Sequence, residues 1–356
     1  MQLKIKYDRW EIEKGLFLAP MEDVSDYPFR MVCKKLGADV VYSEFISSEA
    51  LIRDAEKAFK KMTIRDEERP VGIQIYGNRI EAMVEAAQIA EEKKPDFIDI
   101  NFGCPVKKVA LKGAGSGLLR EVPKMIKMCE AVVRSTGIPV TAKTRLGWDE
   151  NSIEIVEIAK MMEGVGIEAL AIHGRTRAQR YKGDADWEWI ARTKEAVKMP
   201  IIGNGDVVDP IDAIERFGKY GVDAVMIGRG AIHNPWIFRD AKTYRETGVV
   251  PPRPSLDERI DLCKEHYLHS IDYKGVRKGT IEMRKHVSGY LKGLPHISKF
   301  RADLMQHTEP EPVFEMLEEL RTADNIRDMI EEQRLKEIAI TGKSDLTCES
   351  DISACG

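Results

Sequence analysis

Cys104 stands in the segment NFGCPVKK, immediately after a short apolar run, FIDINFG, and immediately before a proline. Proline pushes the residue before it towards extended backbone, so the thiol is expected to face the mouth onto which that run opens. A thiol of ordinary pKa, about 8.5, is mostly protonated at neutral pH and can act as a general acid with no base beside it. A nucleophilic role needs an activating histidine or asparagine, and the sequence alone places none. Cys33, Cys129 and Cys263 fall within helix-period segments and read as small buried hydrophobes.

Polar residues end other apolar runs in the same way: Pro20 and Met21, Glu44, Gln74, Asn101, Lys143 with Arg145, His173 with Arg175, Asn204 with Asp206, and Gly228 with Arg229. One such residue often does no more than cap the next helix. An amide, an ammonium and an imidazole converging on one mouth can instead hydrogen-bond a flat heteroaromatic ring, as the pyrimidine edge of a flavin requires. The segments IGNGD (202–206) and IGRG (227–230) add glycine-containing loops whose N–H groups can approach a phosphate, with Arg229 as a charged partner. The loop KGAGSGLL (112–119) has the composition of a mobile lid, although a plain long loop fits it nearly as well.

These residues need a scaffold that gathers strand ends. Eight short apolar runs begin at residues 15, 40, 71, 97, 139, 169, 200 and 224, and helix-period segments such as 79–94, 121–137 and 151–166 separate most of them. Strands buried on both faces and joined by crossover helices predict a parallel sheet, and eight such units match a closed (β/α)8 TIM barrel, an α/β fold. An open doubly wound sheet fits less well, because no GxGxxG follows the first strand. Residues 1–245 are therefore read as the barrel, 246–254 as a proline-rich linker, 255–340 as an all-helical domain and 341–356 as a mobile tail.

Across the 356 residues, 55 Lys+Arg and 59 Asp+Glu give a formal charge of −4, which offers no case for nucleic acid by itself. No run approaches the ~20 apolar residues of a membrane span, and the N-terminus lacks a secretion signal, so a cytoplasmic protein is expected. Six scattered cysteines without a CxxC pair argue against a disulfide framework or a zinc site. His266 and His269 read as a helix surface and not as a metal site.

Read in order, APMEDVSDYPFR, INFGCPVKKV, AGSGLL, AKTRLGW, IHGRTR, NGDV and IGRGAIHNPWIF resemble the motif series of the tRNA-dihydrouridine synthases, and MRKHVSGYLKGLP extends the match towards the C-terminus. The pattern is nearest to the bacterial B-type subfamily. The resemblance implies an FMN-dependent enzyme that uses NADPH, or NADH, to reduce D-loop uridines of tRNA to 5,6-dihydrouridine. It implies that Pro20 and Met21 lie against the flavin, that Gln74 and Lys143 bind its ring, and that His173 sits at the ring's edge. Asn204, Gly205, Asp206, Gly228 and Arg229 are implied to hold the ribityl phosphate. Cys104 matches the family's proton donor, delivering to C5 after hydride reaches C6. Glu22 stands where many relatives carry a small residue and is grouped with the cofactor contacts. A monomer without metal is expected.

Residues 274–301 carry eight Lys/Arg and one acid, whereas 302–340 carry eleven acids and four Lys/Arg. Tyr290, His286, His296 and Phe300 interleave the basic stretch, and such faces can stack on bases while cations meet phosphates. Arg284, Lys285 and His286 are the expected tRNA backbone contacts. A free-base dihydropyrimidine or dihydroorotate oxidoreductase is the rival among flavin barrels. Flavin-free rivals are a phosphate-sugar lyase or isomerase using Lys143 as a Schiff base, and a plain RNA-binding module.

Overall fold

A computed structural model of the chain describes residues 5–7, 10–294, 297–323, 326–330, 332 and 335–336. By contacts it divides into two units, Met1–Ala231 and Ile232–Gly356.

The first unit is a (β/α)8 barrel. Its strands are β1 (Gly15–Leu18), β2 (Val41–Tyr42), β3 (Val71–Tyr76), β4 (Phe97–Asn101), β5 (Val140–Arg145), β6 (Leu170–His173), β7 (Ile201–Asn204) and β8 (Ala224–Ile227). Each pairs in parallel with the next from β2 through β8, and β8 pairs with β1. The ring closes where Phe17 bridges Val40 and the Leu18 N–H donates to the Val40 carbonyl. Every strand lies inside its apolar run, and most stop two or three residues short of the run's end, where the polar residues begin. A second short segment, Ile46–Ser47, also pairs with β3.

Size complementarity fills the barrel floor. Phe17, Tyr42 and Phe97 meet Ala169, Ala171 and Ala224, and Phe97 lies opposite Gly72 in register. A Cβ on Gly72 would fall 2.1 Å from the Phe97 ring, so only glycine admits it. Helices cover the outside with legible boundaries. Asp209 caps Pro210–Tyr220 through the N–H groups of Ile211 and Asp212, and Gly221, at φ +66°, ends that helix.

Among its described residues, the regular structure of the second unit is all helical. Ile237–Thr247 ends at Gly248, the proline-rich stretch has no regular structure, and Ser255 with Glu258 forms a capping box for Leu256–Lys274. Val276–Tyr290 follows after Gly275 alone. These two helices pack closely at Gly279, where a Cβ would lie 2.6 Å from the Ser270 carbonyl oxygen. No helix among the described residues is long and apolar enough to cross a membrane.

Candidate active site at the barrel mouth

Parallel register sets the site. It places Gln74 opposite Asp99, Asn101 opposite Lys143, Arg145 opposite His173, and His173 opposite Asn204. Polar residues at neighbouring strand ends are therefore gathered above the floor.

All of these groups are buried, so each needs a partner. The Thr141 hydroxyl donates to Asp99 at 2.5 Å and the Gln74 amide at 2.6 Å. Asn101 donates to the Gln74 carbonyl oxygen at 2.7 Å, and its own oxygen accepts the N–H groups of Gly103 and Cys104 at 2.9 and 3.0 Å. A buried carboxylate is thus linked through two amides to the backbone of the cysteine. Burial raises Asp99 to about 6, against the opposing pull of Gln74, Thr141 and Lys143. Asp99 escaped the reading of strand ends because it lies inside its run, although a carboxylate in FIDIN was a visible signal.

The Cys104 side chain is 6% exposed. Burial pushes its pKa up, outweighing the Val106 N–H and the Arg145 charge, so the group is a thiol at neutral pH. Arg145 fastens the neighbourhood by donating to the carbonyls of Gly103 (2.8 Å), Thr176 (3.1 Å) and Arg180 (2.9 Å).

Lys143 donates to Asn204 at 3.2 Å, while Asn204 donates to the Met226 carbonyl at 2.8 Å. Burial and the Arg145 charge lower Lys143 to about 8. Burial, then the surrounding Arg145 and Lys143 charges, holds His173 well below its usual range, so the ring is neutral. Arg175 lies 3.3 Å from its Nε2. Because arginine only donates, Nε2 accepts and Nδ1 carries the proton.

Arg175 also grips both oxygens of Asp206, at 2.9 and 2.6 Å. Burial raises the Asp206 carboxyl, but the Arg175 pair and the Ala185 N–H outweigh it and the net shift is downward. Gly205 has φ +132°, and a Cβ there would lie 2.5 Å from Ala185 and 3.2 Å from His173. Gly228 lies close to Ala19 and to the Met21 sulfur, 3.6 and 3.8 Å from its Cβ position. Pro20 stands between those two residues, half-buried. Arg229 is half exposed, 3.5 Å from Asp206, with its guanidinium 4.6 Å from the Tyr181 ring centroid. Tyr181 stands in a loop with no apolar pattern, and nothing in the sequence marked it.

Glu22 is exposed and ion-paired to Lys61 at 2.6 Å, with Lys61 also 3.3 Å from Glu44. Elsewhere, expectations need correction. The segment read as a lid or a plain long loop forms a 3-10 turn over Gly115–Arg120 that is buried up to Leu119, and Gly117 is required because a Cβ would lie 2.3 Å from the Ala110 carbonyl oxygen. His286 and Tyr290 are 2% exposed inside the helical unit, so neither is available to stack on a base or to touch a phosphate there. His266 is also buried, its ring 4.6 Å from His286 and its Nδ1 2.9 Å from the Tyr290 hydroxyl. Arg284 is half-buried and donates to the His307 carbonyl at 3.1 Å, while Lys285 is half-buried 3.9 Å from Glu282. Phe300 is half-buried, and His296 lies outside the described residues.

The model of the family described as "Dihydrouridine synthase (Dus)" matches residues 17–327. The chain belongs to the dihydrouridine synthase family. It is 38% identical over 334 residues to the probable tRNA-dihydrouridine synthase of Rickettsia conorii, covering 94% of this chain and 99% of that one. With tRNA-dihydrouridine synthase B of Pseudomonas aeruginosa it shares 41% identity over 298 residues, 84% of this chain and 90% of the relative. A 2-naphthoyl-CoA reductase has a TM-score of 0.53 at 14% identity, covering 68% of this chain and 51% of that chain. A histamine dehydrogenase from Rhizobium has a TM-score of 0.54 at 12% identity, with 74% and 50% covered. Both likenesses concern the barrel fold alone. In this dihydrouridine synthase family chain, every residue of the mouth from Gln74 to Arg229 lies inside the matched span.

Proposed function

We propose that the protein reduces uridine in the D-loop of tRNA to 5,6-dihydrouridine in the cytoplasm, with FMN bound at the barrel mouth and NADPH as reductant. The observation that carries this reading is the convergence of Gln74, Asn101, Cys104, Lys143, Arg145 and His173 at the mouth of a barrel whose chain belongs to the dihydrouridine synthase family.

The donor set fits a flavin. Gln74 uses one amide hydrogen on Asp99, and Lys143 has three N–H groups with Asn204 as its hydrogen-bond partner. Each has a donor left for an acceptor-rich ring. On this reading Pro20, Met21 and His173 flank that ring, while Asn204, Gly205, Asp206, Gly228 and Arg229 hold the phosphate arm. Asp206 is an acceptor already engaged by Arg175, so its share is to set that arginine and the turn, and to leave phosphate contact to the N–H groups and Arg229. Glu22, bound to Lys61, is left out of the cofactor contacts.

Bound FMN supplies hydride to C6 of the uracil. The chain's own part is the proton. Cys104 holds it on sulfur at neutral pH and gives it to C5 as charge develops there. Asn101 fixes the backbone beneath that thiol, and Arg145 fixes the carbonyl of Gly103 beside it. The target base must leave its stack to enter the mouth. Without a second dinucleotide motif, NADPH and uridine take turns at one site.

Cys104→Ala is expected to retain bound flavin and its reduction by NADPH while losing uridine reduction by roughly 10²–10⁴-fold. Stopped-flow absorbance reads the first half-reaction, and mass mapping of tRNA from a deletion strain carrying the variant reads the second. An alanine variant that modifies tRNA at the normal rate rules out the proton-donor role. In the helical unit, Arg284 and Lys285 remain proposed backbone contacts, and His286 is withdrawn.

A further inference from the structure

Beside the mouth, Arg120 and Arg177 gather on Trp148, and Arg180 lies within electrostatic reach of Arg177. The guanidinium carbons of Arg120 and Arg177 each lie 4.3 Å from the Trp148 ring centroid. Among the described residues no carboxylate pairs with any of the three, although paired arginines are common elsewhere in the barrel. The buried Nε of Arg177 has no hydrogen-bond partner. Burial, with the Arg180 and Arg120 charges, lowers Arg177 below the usual range, as uncompensated like charges require. Arg120 and Arg180 are exposed. Cation–π contact with Trp148 is worth only ~0.5–1 kcal/mol at exposed sites and leaves the N–H edges of the guanidiniums unused.

The loop that carries two of these arginines is fastened to the catalytic layer. Arg145, which donates to the Gly103 carbonyl beside Cys104, also donates to the carbonyls of Thr176 and Arg180. Arg180 itself is held at φ +54°, a conformation unfavourable for arginine. A single buried guanidinium, that of Arg145, thus ties the backbone that carries Arg177 and Arg180 to the residue next to Cys104.

We propose that Arg120 and Arg177, braced by Trp148, together with the neighbouring Arg180 form a phosphodiester site that grips the RNA backbone next to the nucleotide inserted in the mouth. This rests on the proposed function. Guanidinium forks suit phosphate oxygens better than lysine does. The dinucleotide reductant also carries phosphates, but the cleft of about 390 Å³ next to Arg120 and Trp148 is lined as well by Asp149 and Glu154. Those carboxylates repel a phosphate inside the cleft and leave the exposed arginine rim to a polyanion running along the surface.

The test compares holoenzyme with Arg120→Gln/Arg180→Gln and with Arg120→Lys/Arg180→Lys, measuring binding of unmodified tRNA transcript from low to moderate salt and the rate of flavin reduction against NADPH concentration. The Gln pair should weaken tRNA binding roughly tenfold and reduce the slope of log affinity against log salt by about 0.7–0.9 per lost contact. The Lys pair should retain most of the slope, which a merely structural role for the arginines does not predict. The NADPH dependence of flavin reduction should stay unchanged in both. An unaltered slope in the Gln pair overturns the phosphodiester site, and so does a raised NADPH requirement with tRNA binding intact, which assigns the arginines to the dinucleotide. Wild-type enzyme that binds no tRNA overturns the functional reading itself, a distinguishable failure.

Discussion

The barrel mouth and the basic stretch of the helical unit both drew attention through polar and aromatic residues, and the structure treats them differently. At the mouth, Gln74, Asn101, Cys104, Lys143 and His173 are brought together. In the stretch 274–301, His286, one of the three expected backbone contacts, and Tyr290, one of the interleaved stacking faces, are inside the unit. A strand end in a parallel barrel has one place to go, whereas a helix presents every residue type to both core and solvent according to its phase. The buried set of Leu256–Lys274 includes Arg259, Ile260, Cys263, His266, Tyr267 and Ser270, a regular three-and-four spacing. The set in Val276–Tyr290 includes Gly279, Thr280, Met283, His286, Val287 and Tyr290. Both His266 and His286 fall on these buried faces, whereas residue type had placed them at the surface.

The sharpest way to stress this contrast is at Lys143. Replacing it by Met should cost flavin affinity about 1.5–3 kcal/mol, the range for hydrogen bonds to charged groups, read by flavin retention on dilution. In the wild type the same affinity should fall as pH rises through about 8, where Lys143 loses its proton, and the Met variant should show no such step. A variant that keeps both the affinity and the step places the lysine outside the cofactor contacts.

His286 provides the counterpart inside the helical unit. Burial, with the nearby Lys285 and Lys274 charges, lowers it to about 3. Between that value and its unfolded pKa of about 6.5, the unfolded chain binds a proton that the folded chain refuses. Its contribution therefore costs stability as pH falls below about 6.5, at up to ~1.4 kcal/mol per pH unit. His286→Phe should flatten that acid limb in urea titrations at several pH values, and an unchanged limb means that the ring is not buried neutral.

The smallest effect is expected at the surface of the same helix. Arg284→Gln/Lys285→Gln should reduce the salt slope of tRNA binding by about 0.7–0.9 per contact while leaving flavin content untouched. A full wild-type slope removes this helix from the RNA contacts.

Much of the catalytic unit was legible because β-branched runs, crossover helices and polar strand ends are local patterns with one global solution. Phe97 required Gly72, and Ala110 required Gly117, for reasons visible only once distant segments were in contact. The same holds for the Arg145 bonds to Gly103, Thr176 and Arg180, which join three separate loops. The glycines of 112–119 share one composition and serve two purposes, since Gly117 is a close approach whereas Gly113 and Gly115 have positive φ, and composition does not distinguish backbone freedom from lack of room.

The sequence by itself determined the barrel, the order of its strands and most of the polar side chains at its mouth, with Asp99 and Tyr181 missed, because strand period and crossover handedness leave few alternatives. Tertiary structure alone decided which titratable groups are neutral. His173 and His286 differ from an ordinary histidine, and Lys143 from an ordinary lysine, through desolvation and neighbouring charge. Those depend on what the fold packs around a residue and not on the residue's own segment.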